Sequence, residues 1–306
     1  MDRELRDAAF VRAMPGVFVL IWSTGFVVAR YGMPHAPPMS FLAWRYALSV
    51  AAFAVWIALA RPSWPRDRAQ WGHLAVTGVL MHAGYLGGVW AAVKAGIPAG
   101  TVALIVGLQP LLTALWVSYS GAEHRVLPRQ WAGLLLGLAG LALVVGRKVG
   151  LGEVTPVNFA LSLLALAAIT AGTLYQKRFV APCDVRTANT VQLLAAFAVT
   201  APLALLETEP VVPHPELIGA MAWSVLALTL GGSSLLYLLI QRGAATRVTS
   251  LMYLVPPCTA VLAWWLFDEA LGPVVLAGIA LTAVGVALVV RQPLPPSSPT
   301  PKETLT

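Results

Sequence analysis

From Pro15 to Val290 the chain repeats one pattern, in which an apolar run is followed by a short polar break. The runs are about 20 residues long, enough to cross roughly 30 Å of hydrocarbon as a helix. They predict spans at 15–33, 39–60, 71–93, 98–119, 129–146, 156–177, 187–206, 217–240, 247–267 and 272–290. Turn and charge signals fill the breaks: Pro34 to Pro38, Arg61 to Arg68, Gly121 to Arg129, Arg147 to Glu153, Pro182 to Arg186 and Thr208 to Pro215. The first apolar run follows basic residues, as in a signal peptide, but nothing after Ile21 resembles a small-residue cleavage site. It reads as a first span. The expected fold class is an all-α integral membrane protein of ten transmembrane helices.

Composition agrees: 58% of the 306 residues are hydrophobic and 11% are charged, against roughly a quarter charged in soluble domains. Lys and Arg are distributed unevenly between the two sides that alternate loops would occupy. One side collects Arg3, Arg6, Arg12, Arg61, Arg66, Arg68, Arg125, Arg129, Lys177, Arg178, Arg186, Arg242, Arg247, Arg291 and Lys302. The other has Arg30, Lys94, Arg147 and Lys148, with Arg45 inside a span. This asymmetry predicts that both termini are cytoplasmic. The net charge of +7 is then a topology signal, and no aromatic–basic interleaving marks a nucleic-acid partner. Cys183 and Cys258 suggest neither a disulfide framework nor a metal cluster. No cofactor is expected.

The second half of the chain echoes the first at an offset of 147 residues: Gly25 with Gly172, Arg30 with Lys177, Gly84 with Gly231, Trp90 with Tyr237, Gly96 with Gly243, Pro110 with Pro257. Later the offset shrinks, so that Glu123 answers Glu269 and Gly140 answers Gly285. Five spans per unit is an odd number, so the second unit must run inverted relative to the first. Inverted repeats are the architecture of alternating-access transporters, whose substrate site lies near the midplane between the halves. The expected layout is a cytoplasmic segment 1–14, a first repeat 15–146, an external linker 147–155, a second repeat 156–290, and a Pro/Ser/Thr-rich tail 291–306 expected to be disordered.

The order of short motifs resembles the drug/metabolite transporter superfamily, in its ten-helix branch of two EamA-type repeats. The similarity rests on Trp22-Ser23-Thr24-Gly25, on Phe41-Leu42-Ala43-Trp44-Arg45-Tyr46, on Ala95-Gly96, and on Leu108-Gln109-Pro110-Leu111 with Glu123 and Gly133. The second repeat adds Gly243-Ala244-Ala245, Leu254-Val255-Pro256-Pro257, Asp268-Glu269-Ala270-Leu271 and Gly278. The opening Trp-Ser-Thr is similar to that of bacterial exporters of aromatic and other neutral amino acids. That resemblance implies export of such solutes across a bacterial inner (plasma) membrane.

Polar groups in hydrocarbon should face the bundle interior. The candidate substrate-binding residues are Trp22, Thr24, His82, Tyr85, Gln109, Ser234 and Tyr253. Each has a structural alternative: hydroxyls bond their own backbone, aromatics anchor at interfaces, and His82 is either a substrate or proton-coupling contact or a neutral structural histidine. Gln109 stands at a proline-broken backbone, where freed carbonyls meet a side-chain amide. Arg45 lies close enough to the external end of its span to snorkel outward, where it would attract a carboxylate or, the favoured alternative, bond loop carbonyls. The fifth and tenth spans are almost purely apolar, which places them outside the pathway. Gly133 and Gly137 suit tight helix contact within the chain or in a homodimer.

No Asp or Glu falls within any predicted span, which argues against tight ion coupling unless His82 serves. No Lys/Arg cluster stands ready to clamp phosphates. Zinc-helix, aspartate-pair and nucleophile-elbow patterns are missing, so an enzyme is not expected. The expected function is export of small neutral amino acids by facilitated flux or exchange. The alternative is proton-coupled export of hydrophobic drugs or metabolites. The expected partners are a small-molecule substrate and the lipid bilayer, with the protein a monomer or homodimer.

Overall fold

A computed structural model describes residues 2–119, 128–232, 235 and 254–290. Every regular element of the described backbone is a helix. We number the helices α1 (Asp2–Gly32), α2 (Pro38–Ala60), α3 (Arg68–Lys94), α4 (Ala99–Val106 continuing as Gln109–Tyr119), α5 (Pro128–Gly150), α6 (Pro156–Phe179), α7 (Val185–Ala204), α8 (Pro215–Gly232), α9 (Val255–Phe267) and α10 (Pro273–Val290). Six of them are long and apolar enough to cross a membrane, and four shorter apolar helices lie within α1, α4, α9 and α10. The predicted spans 217–240 and 247–267 both run into residues outside the description, as do Glu123, Gly243 and the tail.

Local chemistry sets the helix starts. Pro38, Pro156 and Pro215 stand in the first turn, where a missing N–H leaves no bond unmade. Asp67 and Asp184 accept the first free N–H groups of α3 and α7, and Thr155 with Asn158 forms a capping box on α6. One helix start lies earlier than the apolar run, and one break falls beside the proline that marked it. α1 begins at Asp2, well before its apolar stretch. α4 is broken at Gly107–Leu108, just before Pro110, whose ring cannot follow an unbroken helical ladder.

Packing follows the repeat. The most extensive pairings are α5 with α10, α3 with α6, and α2 with α7; α5–α10, α2–α7 and the lesser α4–α9 each join a helix to the one five places on. The crossed contacts match as well, α3 with α6 and α7 answering α8 with α1 and α2. This is the pattern of two inverted five-helix units about a pseudo-two-fold axis. The α5–α10 seam is built on small residues. A methyl group at Gly140 would collide with the Gly278 carbonyl and Thr282, and one at Gly285 with the Gly133 carbonyl and Gly137. The Gly133–Gly137 face is thus occupied within the chain.

The helix ends are tied across units. At the end rich in acids, the Glu207 carboxylate caps α2, accepting the Met39 and Ser40 N–H groups at 2.9 and 2.8 Å and the Ser40 hydroxyl at 2.8 Å. Lys94 pairs with Glu209 at 2.7 Å and His35 with Glu216 at 3.0 Å, while Glu269 accepts the Ala99 N–H at the start of α4. At the opposite, basic end, the Gln70 amide donates to the Ala181 carbonyl at 2.8 Å and accepts its N–H at 3.1 Å.

Candidate substrate site

Two stretches depart from α geometry: Val79–Gly84 in α3 and Ser224–Gly232 in α8 are π-helical. Moved by the repeat offset, the first falls inside the second. A π turn inserts an extra residue and breaks the regular ladder of backbone bonds, a departure often found at functional sites. Side chains take up the slack here. The Tyr46 hydroxyl donates to the His82 carbonyl at 2.9 Å, and the Thr229 hydroxyl donates to the Ser224 carbonyl, five residues back, at 2.8 Å.

Adjacent residues of α2 reach both stretches. Tyr46 meets α3, its ring edge-on to His82 with centroids 6.0 Å apart. Arg45 meets α8, its Nε and Nη2 donating to Thr229 Oγ1 at 3.4 and 3.3 Å. Arg45 is 7% exposed. It lies about 10 Å into α2 at 1.5 Å per residue. The side chain thus turns inward, not outward to the loop carbonyls that the sequence favoured. Among the described residues no carboxylate stands within ion-pair distance of it. Tyr46, Tyr85 and His82 are its electrostatic neighbours, and Gln192 of α7 stands beside the His82 ring. Ser49, one turn further along α2, and Ser224 have buried hydroxyl oxygens with no hydrogen-bond partner among the described residues.

The candidates read from sequence scatter more widely. His82 and Tyr85 belong to this cluster. Gln109 lies apart, its amide donating to the Thr173 hydroxyl at 2.9 Å, at the broken point of α4. Trp22 tilts against Phe18 at 5.3 Å and lies over Gly232. Thr24 points to the bundle surface, where it accepts the indole N–H of the half-exposed Trp223 at 2.8 Å. Ser234 and Tyr253 lie outside the described residues. Two further rings also lie apart: Trp90 is buried and stacked on Phe41 at 4.2 Å, and Tyr175 bonds His73 at 2.9 Å. Sequence reasoning missed Tyr46, Gln192 and Ser49 and misdirected Arg45. The repeat offset, applied without regard to residue type, pairs 45 with 192 and 82 with 229. Small gaps in the packing lie elsewhere, between α4, α9 and α10, and share no residue with this cluster.

The model of the EamA-like transporter family matches residues 17–146 and again 158–291. The chain belongs to that family. An Escherichia coli (strain K12) relative named "Probable amino-acid metabolite efflux pump" is 24% identical over 281 residues, covering 87% of this chain and 90% of the relative. A protein of the same name from Salmonella typhimurium is 26% identical over a match spanning 52% of this chain and 51% of that one. A Streptantibioticus cattleyicolor relative named "Probable terminal-alkyne amino-acid exporter" is 26% identical, covering 90% and 92%. A solved crystal structure superposes with a TM-score of 0.65 at 20% identity, over 90% of this chain and 95% of that one, and shows the fold. As an EamA-like transporter, the protein is a multi-pass membrane protein that moves a small molecule. Within the family's motifs, Arg45 turns into the polar cluster, Gln109 sits at the α4 break, and Glu269 caps α4.

Proposed function

We propose that this protein exports small neutral amino acids, aromatic ones among them, by alternating access and without tight ion coupling. The observation that carries the reading is the enclosed cluster between the two π-helical stretches, where Tyr46 and Tyr85 supply apolar ring faces and His82, Gln192, Thr229 and Arg45 supply a few oriented polar groups. That combination suits a small amphipathic solute. The cluster contains no carboxylate, which favours facilitated flux or exchange over proton or sodium coupling. The names of the relatives support both the amino-acid class and the outward direction. The basic end faces the cytoplasm of a bacterial inner membrane on this reading, and the two inverted units rock about the shared site. Gln109, Trp22, Ser234 and Tyr253 remain candidate pathway residues, on the strength of their depth.

Flux of radiolabelled phenylalanine, threonine and a cationic dye into liposomes holding the purified protein, with no ion gradient, tests this. Saturable amino-acid flux that falls in His82→Ala is the expected result. Dye flux alone moves the reading to drug export. Flux that requires an imposed pH gradient makes His82 a coupling group.

A further inference from the structure

The repeat relates the two halves of the polar cluster but does not make them alike. Residues 45 and 192 occupy equivalent places on α2 and α7, and residues 82 and 229 equivalent places in the two π-helical stretches. Each inner-helix residue reaches the π-helical stretch of the other unit, Arg45 to Thr229 and Gln192 to His82. One crossing carries a full positive charge. Its counterpart is an amide facing an imidazole.

The charged crossing is incomplete. A guanidinium offers five donors in a planar fork, and Thr229 Oγ1 receives two of them at the long distances of 3.4 and 3.3 Å. The sequence between Gly232 and Leu254 contains no Asp or Glu. A buried cation with no counter-charge is costly in a membrane interior. Ser49 stands one turn from Arg45 on α2, and the Ser224 carbonyl accepts from the same Thr229 hydroxyl that Arg45 contacts; the hydroxyls of both serines are buried without a partner among the described residues. The guanidinium and these two hydroxyls are therefore donors left without a matching acceptor among the described residues. Thr229 is already bonded to the Ser224 carbonyl at 2.8 Å, so it keeps a partner when the guanidinium turns away. The other crossing offers acceptors, a ring nitrogen and an amide oxygen, suited to a protonated amine.

We propose that Arg45 anchors the substrate's carboxylate, with Ser49 and Ser224 completing the anion's coordination, and that the His82–Gln192 crossing receives the amino end. The broken symmetry then gives the site a polarity. A zwitterion binds in one direction, its body between the rings of Tyr46 and Tyr85. This rests on the reading of the protein as an amino-acid exporter and adds to it a required chemical group and an orientation.

The test compares flux of phenylalanine, phenylalaninamide and 3-phenylpropionate into liposomes, for the wild type, Arg45→Gln, Arg45→Lys and Thr229→Val. The wild type is expected to prefer phenylalanine to the amide. Arg45→Gln should lower that preference on the order of 10- to 100-fold, the range of a lost charge-assisted bond, while amide flux persists. Arg45→Lys should restore part of it, since a point charge replaces the fork. An acid-to-amide ratio unchanged in Arg45→Gln overturns the proposal, as does a wild type that moves both equally. Should Arg45→Gln fail to fold, the wild-type ratio and Thr229→Val decide: Thr229→Val frees the fork and is expected to retain acid preference, and its loss there overturns the anchor. Flux of phenylpropionate without phenylalanine keeps the anchor and removes the amino-acid reading; flux of none of the three removes both.

Discussion

The α5–α10 pair and the α3–α8 pair are each related to themselves by the same pseudo-two-fold, and they differ in almost every other respect. α5 and α10 are regular helices meeting along Gly133, Gly137, Gly140, Gly278 and Gly285, and the polar side chain at that seam, Thr282, is bonded to its own helix at 2.9 Å. α3 at its centre and α8 over Ser224–Gly232 are π-helical, and they face Arg45, Tyr46 and Gln192. Close backbone approach at one pair leaves no room for a ligand, whereas the irregular backbone of the other presents groups that the helix itself does not satisfy. Symmetry in this fold assigns place, and helix regularity separates scaffold from site.

The contrast is open to direct tests on a common energy scale. Gly140→Leu should have the largest effect, about 3 kcal/mol of stability lost to overpacking, read as a lower thermal midpoint in detergent. Gly72→Leu, where a Cβ meets nothing within 4 Å, is its control. Equal midpoints would break the assignment of α5–α10 as scaffold. Gly78→Ala, which drives a methyl into the Gln192 backbone where α3 crosses α7, should follow at about 2 kcal/mol and should lower flux as well. His82→Ala should cut flux about tenfold, roughly 1.4 kcal/mol, with little change in midpoint, because Tyr46 bonds the backbone carbonyl and not the ring. Thr24→Val should change flux less than about twofold, since an isolated neutral hydrogen bond contributes about 1 kcal/mol or less and Trp223 holds that hydroxyl away from the cluster.

The smallest effect concerns the acid-rich end. Burial at the head of α4 raises the proton affinity of Glu269 above that of an ordinary carboxyl. The folded chain then binds this proton more tightly than the unfolded chain. Its contribution favours the fold in acid and is lost as pH rises through the raised value. Glu269→Gln should flatten that part of the stability–pH curve, measured by thermal midpoints from acidic to neutral pH.

Much of the architecture was legible in the sequence because hydrocarbon thickness dictates run length. The repeat was legible because Gly and Pro are retained wherever helices touch closely or break. The break in α4 beside Gln109 was marked by Pro110. The site was harder to read. Hydropathy gives a residue's depth but not the direction it faces on a helix that is apolar all round, so Arg45 was placed at the right level and turned the wrong way, and Thr24 was assigned inward. Neither π-helical stretch carries a sequence signal. The equivalences of Arg45 with Gln192 and His82 with Thr229 share no residue type, so matching identities across the repeat passed over the pairs in which the two halves differ chemically.

The glycine seam also has a consequence for biogenesis. The Gly137 carbonyl and the Thr282 hydroxyl that meets it at 3.4 Å are 145 positions apart, so α5 enters the bilayer long before its partner is synthesised. Until α10 arrives, three glycines lie open to lipid on a helix with few other neighbours. The seam is therefore a late closure, made when the last span leaves the insertion machinery. It also works as a recognition surface that needs no peptide link, and the two halves produced as separate chains should find each other through it.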